Sequence, residues 1–205
     1  LGSALLCFTT AAIVARRHAA FPRLAVRAGN AMTLPFEERF DYVTLIGVLE
    51  YARVFAPGPD PAGALLRRAA SLLKPGGQLL LAVENRFGLK YFAGARDDHT
   101  GRPFDGLEDY PAGGAETFSR EALDRLLRAA GCKAPVFTYP HPDYKFPTRL
   151  FSDACPPDPG DVLEAAPNYD QERLVLFHEP RAWRTIVREG LFPLFANSFL
   201  VLAAT

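Results

Sequence analysis

The chain has 205 residues, with 23 Lys or Arg and 23 Asp or Glu, so its formal net charge is zero. This balance argues against a nucleic-acid-binding protein, which needs a basic face to hold the phosphate backbone. Hydrophobic residues make up 49% of the chain, which excludes wholesale disorder. No apolar run reaches membrane-spanning length, and the apolar opening Leu1–Val14 has no basic flank, so we expect neither a membrane span nor a signal peptide. The three cysteines lack metal-ligand or Cys-x-x-Cys spacing, which favours a cytoplasmic protein without a metal site.

Predicted strands and helices alternate along the first half of the chain. Tyr42–Val48 is almost wholly apolar, as in a strand buried on both faces of a sheet. Residues 61–73 carry leucines and alanines at helical spacing, with Arg67 and Arg68 on the other face. The predicted elements are a strand Ala4–Phe8, a helix from Thr9 or Thr10 to about Ala20, strands Leu24–Ala28 and Phe40–Val48, a helix Pro61–Leu73 and a strand Gln78–Val83.

Two long connections separate the predicted elements of the second half. They cover residues 85–116 and 140–161, and the aromatic and histidine residues of the first favour an ordered functional lid over a disordered loop. The predicted elements here are a helix Arg120–Ala130 capped by Ser119, a strand Ala134–Tyr139, a helix Arg181–Glu189 and a strand Ser198–Ala203.

This alternation predicts a single α/β domain over residues 1–205 with an open, mostly parallel sheet. Ligands of such sheets bind beyond the carboxyl ends of the strands. Three predicted loops lie at those ends: Gly47–Pro61, Glu84–Glu116 and Tyr139–Asp161. We therefore expect the functional residues on these loops.

Two segments, in this order and at this spacing, resemble class I S-adenosylmethionine-dependent methyltransferases. Phe40–Tyr51 (FDYVTLIGVLEY) is similar to the fourth-strand segment of that family, and Leu72–Leu81 (LLKPGGQLLL) is similar to the helix, turn and strand that follow it. Further segments are similar to a bacterial subgroup whose members often accompany glycosyltransferases of surface-glycan synthesis: Glu84–Phe92, Asp98–Gly101, Thr117–Ser119 and Pro142–Thr148.

The resemblance implies a Rossmann-like, doubly wound fold with S-adenosylmethionine as the cofactor. It also implies methyl transfer to a hydroxyl on a small molecule or glycan, with a glycosyltransferase as a partner. The family's first strand and Gly-rich loop are missing, so the chain resembles an N-terminally truncated member. Leu6 stands where the family has an acid that binds the ribose hydroxyls, and leucine cannot accept a hydrogen bond. A competing hypothesis is a degenerate domain without activity, acting as a binding or scaffolding module beside a glycosyltransferase.

By the resemblance, cofactor-binding residues follow two strands: Asn30, Ala31, Ile46, Gly47, Val48 and Glu50. The Asn30 amide oxygen can accept a hydrogen bond from the adenine amino group, although Gly29-Asn30 is also a common turn pair. Gly47 lets the backbone approach a ligand closely, and would serve a bulge or a packing contact equally well. Glu50 faces the site or opens the next helical turn, where the helix dipole favours acids.

Methyl transfer is an in-line displacement in which the protein mainly positions the acceptor. A general base assists when the acceptor is a hydroxyl, and His99 is the best candidate because histidine exchanges protons near neutral pH. Asp98 is the candidate that orients it, and the alternative for His99 is a structural or exposed loop histidine. Acceptor-binding roles are predicted for polar and aromatic loop residues, with packing or solvated-loop roles as the alternatives: Tyr51, Asn85, Arg86, Tyr144 and Lys145.

Overall fold

The computed structural model describes residues 2–5, 8–56, 58–167 and 172–205, with the backbone alone for residues 2–5 and 8–10. Packing divides the chain into two compact units, Leu1–Arg39 and Phe40–Thr205, which are described separately. Within the described ranges, no helix is long and apolar enough to cross a membrane.

The first unit contains a parallel pair of strands connected by a helix. β1 (Gly2–Leu5) pairs with β2 (Ala25–Ala28), and α1 (Phe8–Arg17) connects them. The prediction of a strand over Ala4–Phe8 is wrong at its C-terminal end, because α1 already begins at the residue where that strand was expected to finish. Leu6, the position compared with the ribose-binding acid, lies outside the described residues.

The second unit is built on a five-stranded sheet. Its strands are β3 (Phe40–Ile46), β4 (Leu73–Glu84), β5 (Lys133–His141), β6 (Arg149–Ser152) and β7 (Ser198–Ala204). Their order across the sheet is β3-β4-β7-β5-β6. β3 and β4 pair in parallel, whereas β7 is antiparallel to both β4 and β5, so β3, β4 and β5 run in one direction. The α/β fold class is confirmed, and β6 and β7 are the reversed strands of a mixed sheet.

Short and medium helices connect these strands. They are a 3-10 helix Leu49–Tyr51, α2 (Ala52–Phe55), α3 (Pro61–Ser71), α4 (Leu89–Phe92), α5 (Arg120–Ala129), α6 (Glu179–Arg188) and α7 (Phe192–Phe195). Asp60 begins α3 by accepting a hydrogen bond from the Gly63 amide at 3.1 Å, and Ser119 begins α5 by accepting from the Ala122 amide at 3.2 Å. The helices predicted from residues 61, 120 and 181 are confirmed, with ends shifted by one or two residues.

Strand β3 differs from its predicted environment. Its Tyr42 and Ile46 side chains are 66% and 47% exposed, and Thr44 between them is exposed too. On the opposite face, Val43 is half-buried and Leu45 is buried. The predicted burial on both faces is therefore wrong, because β3 is an edge strand of the described sheet and only one of its faces is covered.

Apolar side chains of strand β4 and of two helices contribute to the core of the second unit. Leu79, Leu81 and Val83 of β4 are fully buried, as are Leu66 of α3 and Leu123 of α5. Burying one leucine side chain stabilises the fold by about 1.5–3 kcal/mol. This packing fixes the carboxyl ends of β3, β4 and β5 along one edge of the sheet.

Candidate functional site

The loops that follow β3, β4 and β5 meet at one edge of the sheet, because the three strands run in the same direction. Glu50 and Tyr51 come from the connection after β3. Glu84 ends β4, and His99 lies in the loop that follows it. Lys145 comes from the loop after β5. The structure thus brings residues from all three predicted functional loops into contact.

Glu50, Glu84 and His99 form a buried cluster, which we call the Glu-Glu-His cluster. One carboxylate oxygen of each glutamate and one ring nitrogen of the histidine lie within 4.8 Å of one another. Both glutamates are 0% exposed, and the His99 side chain is 7% exposed. Charges interact strongly in such a setting, because the protein interior screens them weakly.

The two glutamates of the cluster differ in protonation. Burial raises the pKa of Glu50 to about 9, and the adjacent Glu84 carboxylate contributes to the rise. Burial also disfavours the charged form of Glu84. The His99 ring, the Glu50 carboxyl group and the ammonium groups of Lys90 and Lys145 outweigh burial and hold the pKa of Glu84 well below its usual range. At neutral pH, Glu84 is therefore ionised and Glu50 carries a proton.

His99 lies between a carboxylate and a phenol. Its Nε2 is 3.4 Å from Glu84 Oε2, and its Nδ1 is 3.1 Å from the Tyr51 hydroxyl oxygen. The His99 and Tyr51 rings meet edge to face, with their centroids 5.1 Å apart. Asp97 fixes the backbone here, because its Oδ1 accepts hydrogen bonds from the amides of His99 and Thr100, both at 2.9 Å. Side-chain and backbone contacts together orient the His99 ring.

A second group of charges, centred on Lys90, adjoins the cluster. The buried Lys90 ammonium donates hydrogen bonds to Asp98 Oδ2 at 2.6 Å and to Asp143 Oδ2 at 2.7 Å. Lys145 connects the two groups, because its Nζ is 3.0 Å from Glu84 Oε1 and 3.5 Å from Asp98 Oδ1. Burial disfavours the charge of Lys90, but Asp143, Asp98 and Glu84 outweigh it and raise the pKa of Lys90.

The predicted orienting residue, Asp98, has partners other than His99. Its carboxylate binds Lys90 and Lys145 and accepts a hydrogen bond from the Tyr91 hydroxyl at 3.0 Å. Among the hydrogen bonds of the described residues, none joins Asp98 to the His99 ring. The carboxylate beside that ring is the one of Glu84. This corrects the predicted His99–Asp98 pair, since the side chains of the two adjacent residues diverge.

Tyr144 packs against the end of β3. A Cβ at Gly47 would lie 2.9 Å from the Tyr144 hydroxyl oxygen, and the φ angle of Gly47 is +62°. Glycine at this position therefore permits the close approach of Tyr144, which is the packing alternative that the sequence left open. The Tyr144 amide also donates to Ser198 Oγ at 2.8 Å. Of the neighbours of Gly47, Ile46 is 47% exposed and Val48 is half-buried.

Asn85 supports the fold rather than facing an acceptor. It is 0% exposed, and its Nδ2 donates to the carbonyl oxygens of Leu194 at 2.8 Å and Ala196 at 2.7 Å. Its Oδ1 accepts from the Phe87 amide at 3.0 Å. These contacts correct its predicted acceptor-binding role, because they tie the end of β4 to the segment before β7.

Arg86 orders the long loop that follows β4. Its Nη1 donates to Asp109 Oδ1 at 2.8 Å, its Nε donates to the Thr117 carbonyl at 3.0 Å, and its guanidinium lies over the Tyr110 ring. The loop is therefore ordered by contacts of its own, and Arg86 is engaged in them rather than presented to a ligand.

Asn30 and Ala31 lie in the first unit. The Asn30 side-chain oxygen accepts from the Met32 amide at 2.9 Å, and its carbonyl accepts from the amides of Thr33 and Leu34. Asn30 thus forms the turn that the sequence offered as the alternative to an adenine contact. A role for Asn30 and Ala31 toward adenine stays a prediction.

Glu84, Lys90 and Asp143 were given no role in the sequence analysis. A signal was present, because Glu84 ends an apolar strand and Lys90 lies between Leu89 and Tyr91, and charged residues are buried only when they are paired. The prediction of no metal site also depended on spacing along the chain. Folding brings together potential ligands from positions 50, 84 and 99, which no local motif reveals.

Residues 11–134 match a family described as a methyltransferase domain. The matched segment is more than half of the chain and includes all three members of the Glu-Glu-His cluster. A search of curated protein sequences gives no match.

Solved methyltransferase structures share the fold. An S-adenosylmethionine-dependent methyltransferase from Thermotoga maritima has a TM-score of 0.54 and 16% identity, over 98% of this chain and 71% of that one. One from Archaeoglobus fulgidus has a TM-score of 0.52 and 12% identity, over 100% and 75%. The N-methyltransferase NodS from Bradyrhizobium japonicum, solved with S-adenosyl-L-homocysteine, has a TM-score of 0.50 and 12% identity, over 100% and 66%. At these identities the likeness concerns the fold, and it confirms the predicted Rossmann-like architecture.

Proposed function

Since the chain belongs to the methyltransferase-domain family and shares the fold of S-adenosylmethionine-dependent methyltransferases, we propose that it methylates a hydroxyl group with His99 as the general base. The acceptor class that we propose is a small molecule or a glycan, with a glycosyltransferase as a partner. Support for the glycan and for this partner comes from the subgroup resemblance of segments such as Glu84–Phe92 and Pro142–Thr148.

The position of His99 between Glu84 and Tyr51 is the observation that carries the proposal. Ionised Glu84 lies 3.4 Å from Nε2 and favours the tautomer with hydrogen on that nitrogen. Nδ1 is then the accepting nitrogen, and the Tyr51 hydroxyl lies 3.1 Å from it. An acceptor hydroxyl that replaces the Tyr51 hydroxyl, or bonds through it, would be within reach of Nδ1.

For this reaction the protein must orient the acceptor hydroxyl toward the methyl group and provide a base that takes up the hydroxyl proton. The acceptor oxygen bonds to the methyl carbon as the carbon–sulfur bond breaks, and the hydroxyl proton passes to His99 Nδ1. Lys145, which is 33% exposed in its side chain, and the half-buried Tyr51 are the cluster residues best placed to contact the acceptor. Tyr144 shapes the site by packing on Gly47.

When bound, S-adenosylmethionine supplies an electrophilic methyl group on a sulfonium centre. The residues of the second unit that would hold it are Ile46, Gly47 and Val48. They fit an adenosyl group because Ile46 leaves an apolar side chain, 47% exposed, at the end of β3. Glu50, also predicted at the cofactor, is instead fully buried in the Glu-Glu-His cluster.

The test measures methyl transfer from labelled S-adenosylmethionine to a panel of methyl glycosides, nucleotide sugars and phenols. His99→Gln keeps a polar side chain that cannot take the proton, so we expect kcat to fall by about 10²- to 10⁴-fold. The affinity for S-adenosylhomocysteine, measured by calorimetry, should be unchanged. The matched control is His178→Gln, at the exposed residue before α6, which should keep the parent rate.

Two results would overturn parts of this proposal separately. If His99→Gln is as active as His178→Gln, His99 is not the base. If the parent chain gives no heat with millimolar S-adenosylhomocysteine, it does not bind the cofactor, and the scaffolding hypothesis gains support.

A further inference from the structure

The Glu-Glu-His cluster has the composition of a metal centre. Its two carboxylates and one imidazole are ligands that Zn²⁺ accepts in proteins, and catalytic zinc sites often use three protein ligands and keep a fourth position open. One ligand atom from each residue lies within 4.8 Å of the other two. The three residues come from rigid positions: the helical turn after β3, the end of β4, and a loop fixed by Asp97.

Several polar atoms of the cluster are buried without a hydrogen-bond partner. They include both carboxylate oxygens of Glu50 and Nε2 of His99. Glu50 is 0% exposed, so its oxygens are out of reach of bulk solvent. Buried polar atoms are almost always paired, and an unpaired set that converges on one point indicates a missing partner.

The separation of two of these atoms suits a shared ion better than a direct hydrogen bond. His99 Nε2 and Glu84 Oε2 are 3.4 Å apart, longer than the usual 2.7–3.2 Å of an N–H···O bond. Two ligands at zinc distances in a tetrahedral site lie about 3.3–3.6 Å apart. Lys145 does not block this position, because its contact at 3.0 Å is with the other oxygen, Oε1.

The charged groups around the cluster favour the binding of a divalent cation. The cluster and the adjoining Lys90 group contain the carboxylates of Glu50, Glu84, Asp98 and Asp143 and the ammonium groups of Lys90 and Lys145. Once a metal ion displaces the proton of Glu50, all four carboxylates are ionised and the negative charges exceed the positive ones by two. A divalent ion would balance this excess inside the protein, where an unbalanced charge is costly.

We propose that Glu50, Glu84 and His99 bind a divalent transition-metal ion, with Zn²⁺ preferred. Zn²⁺ accepts mixed nitrogen and oxygen ligands, and a set of histidine and glutamate ligands suits it in geometry and ligand type. The inference goes beyond the proposed function, because binding requires no methyl acceptor. An ion on Nε2 places the ring hydrogen of His99 on Nδ1, so occupancy excludes proton acceptance there and makes the ion an inhibitor of the proposed reaction.

Calorimetry with ZnCl₂ on the full, tag-free chain tests the site. The chain should carry Cys155→Ser, because Cys155 is an exposed free cysteine and thiolates are zinc ligands, so this removes a competing ligand from the titration. We expect one Zn²⁺ per chain. Glu50→Gln should weaken binding at least about 100-fold, since loss of even an outer-shell partner costs 10- to 100-fold. The matched control Glu121→Gln, on the exposed side of α5, should bind like the parent.

The same measurements can overturn the proposal. Absence of zinc binding by the Cys155→Ser chain, or equal affinity in Glu50→Gln, would refute it. Glu50→Gln should fold, because glutamine resembles the protonated glutamate in shape and hydrogen bonding. A second variant, His99→Gln, must show the same loss of affinity, and unchanged binding there would also refute the site. None of these results depends on methyl transfer, so they are independent of the proposed activity.

Discussion

His99 and His141 lie in two buried regions of opposite character. His99 lies among carboxylates and ammonium groups, with Glu84 on one side and Tyr51 on the other. His141 packs among aromatic rings, with centroid distances of 5.6 Å to Trp183, 6.2 Å to Phe151 and 6.4 Å to Phe192. The first region resembles a reaction site and the second a hydrophobic core.

The comparison shows what keeps a buried group charged. Lys90 is buried, yet its contacts with Asp98 and Asp143 raise its pKa. For His141, burial lowers the pKa to about 4, since the Glu164 carboxylate only partly opposes the shift and the Arg149 guanidinium adds to it. Burial removes charge unless an opposite charge lies in contact.

Of the substitutions considered, removal of the Lys90 ammonium group should destabilise the fold most. Lys90→Met keeps the length of the side chain but leaves Asp98 and Asp143 without their shared partner, so we expect a loss of about 3–5 kcal/mol in the free energy of unfolding. Urea unfolding at pH 7 measures it. Lys74→Met is the control, because it breaks an exposed pair with Asp41 and should cost less than about 1 kcal/mol. Equal losses in the two variants would contradict the role of Lys90.

The aromatic region should respond to pH instead. The pKa of His141 is about 4 in the folded chain and 6.5 for an ordinary histidine, so between these values the unfolded chain binds more protons. Stability from this group is complete above pH 6.5 and falls as the pH drops toward 4, by up to about 3 kcal/mol. Urea midpoints at pH 7 and 4.5 measure the fall. His141→Phe should lose less stability between pH 7 and pH 4.5 than the parent chain does. The control His178→Gln, at an exposed histidine, should lose as much as the parent. If His141→Phe also loses as much as the parent, groups other than His141 cause the loss of stability.

The smallest expected effect concerns the packing of Tyr144 at the end of β3. Gly47→Ala places a methyl group 2.9 Å from the Tyr144 hydroxyl oxygen, and Gly76→Ala meets nothing within 4 Å at a similar φ of +75°. Backbone strain should lower the free energy of unfolding of both variants by about 1 kcal/mol, and the clash with Tyr144 should lower that of Gly47→Ala by about 1 kcal/mol more. Thermal unfolding measures both. Adding Tyr144→Phe to Gly47→Ala removes the clashing hydroxyl and should restore the additional stability lost. Equal stability of the two alanine variants would show that the Tyr144 side chain moves aside without an energetic cost.

Local patterns in the sequence were sufficient for most elements of the second unit. The leucine and alanine spacing of α3, the Ser119 cap of α5 and the apolar run of β4 each lie within a short segment. The exposure of Tyr42 and Ile46 could not be predicted in this way, because it depends on which strands lie beside and above β3.

The candidate site, like the fold, could be predicted from the sequence only in part. The pattern of apolar and turn residues indicates strand direction and loop order, so the candidate site could be predicted on the loops that follow β3, β4 and β5. No sequence pattern indicated that Glu84, and not Asp98, lies beside His99, or that Glu50 is buried with them; these contacts arise from folding. The reason is physical: these partners are 15 or more positions apart along the chain, and the direction of each side chain is set by packing and by competition among buried charges.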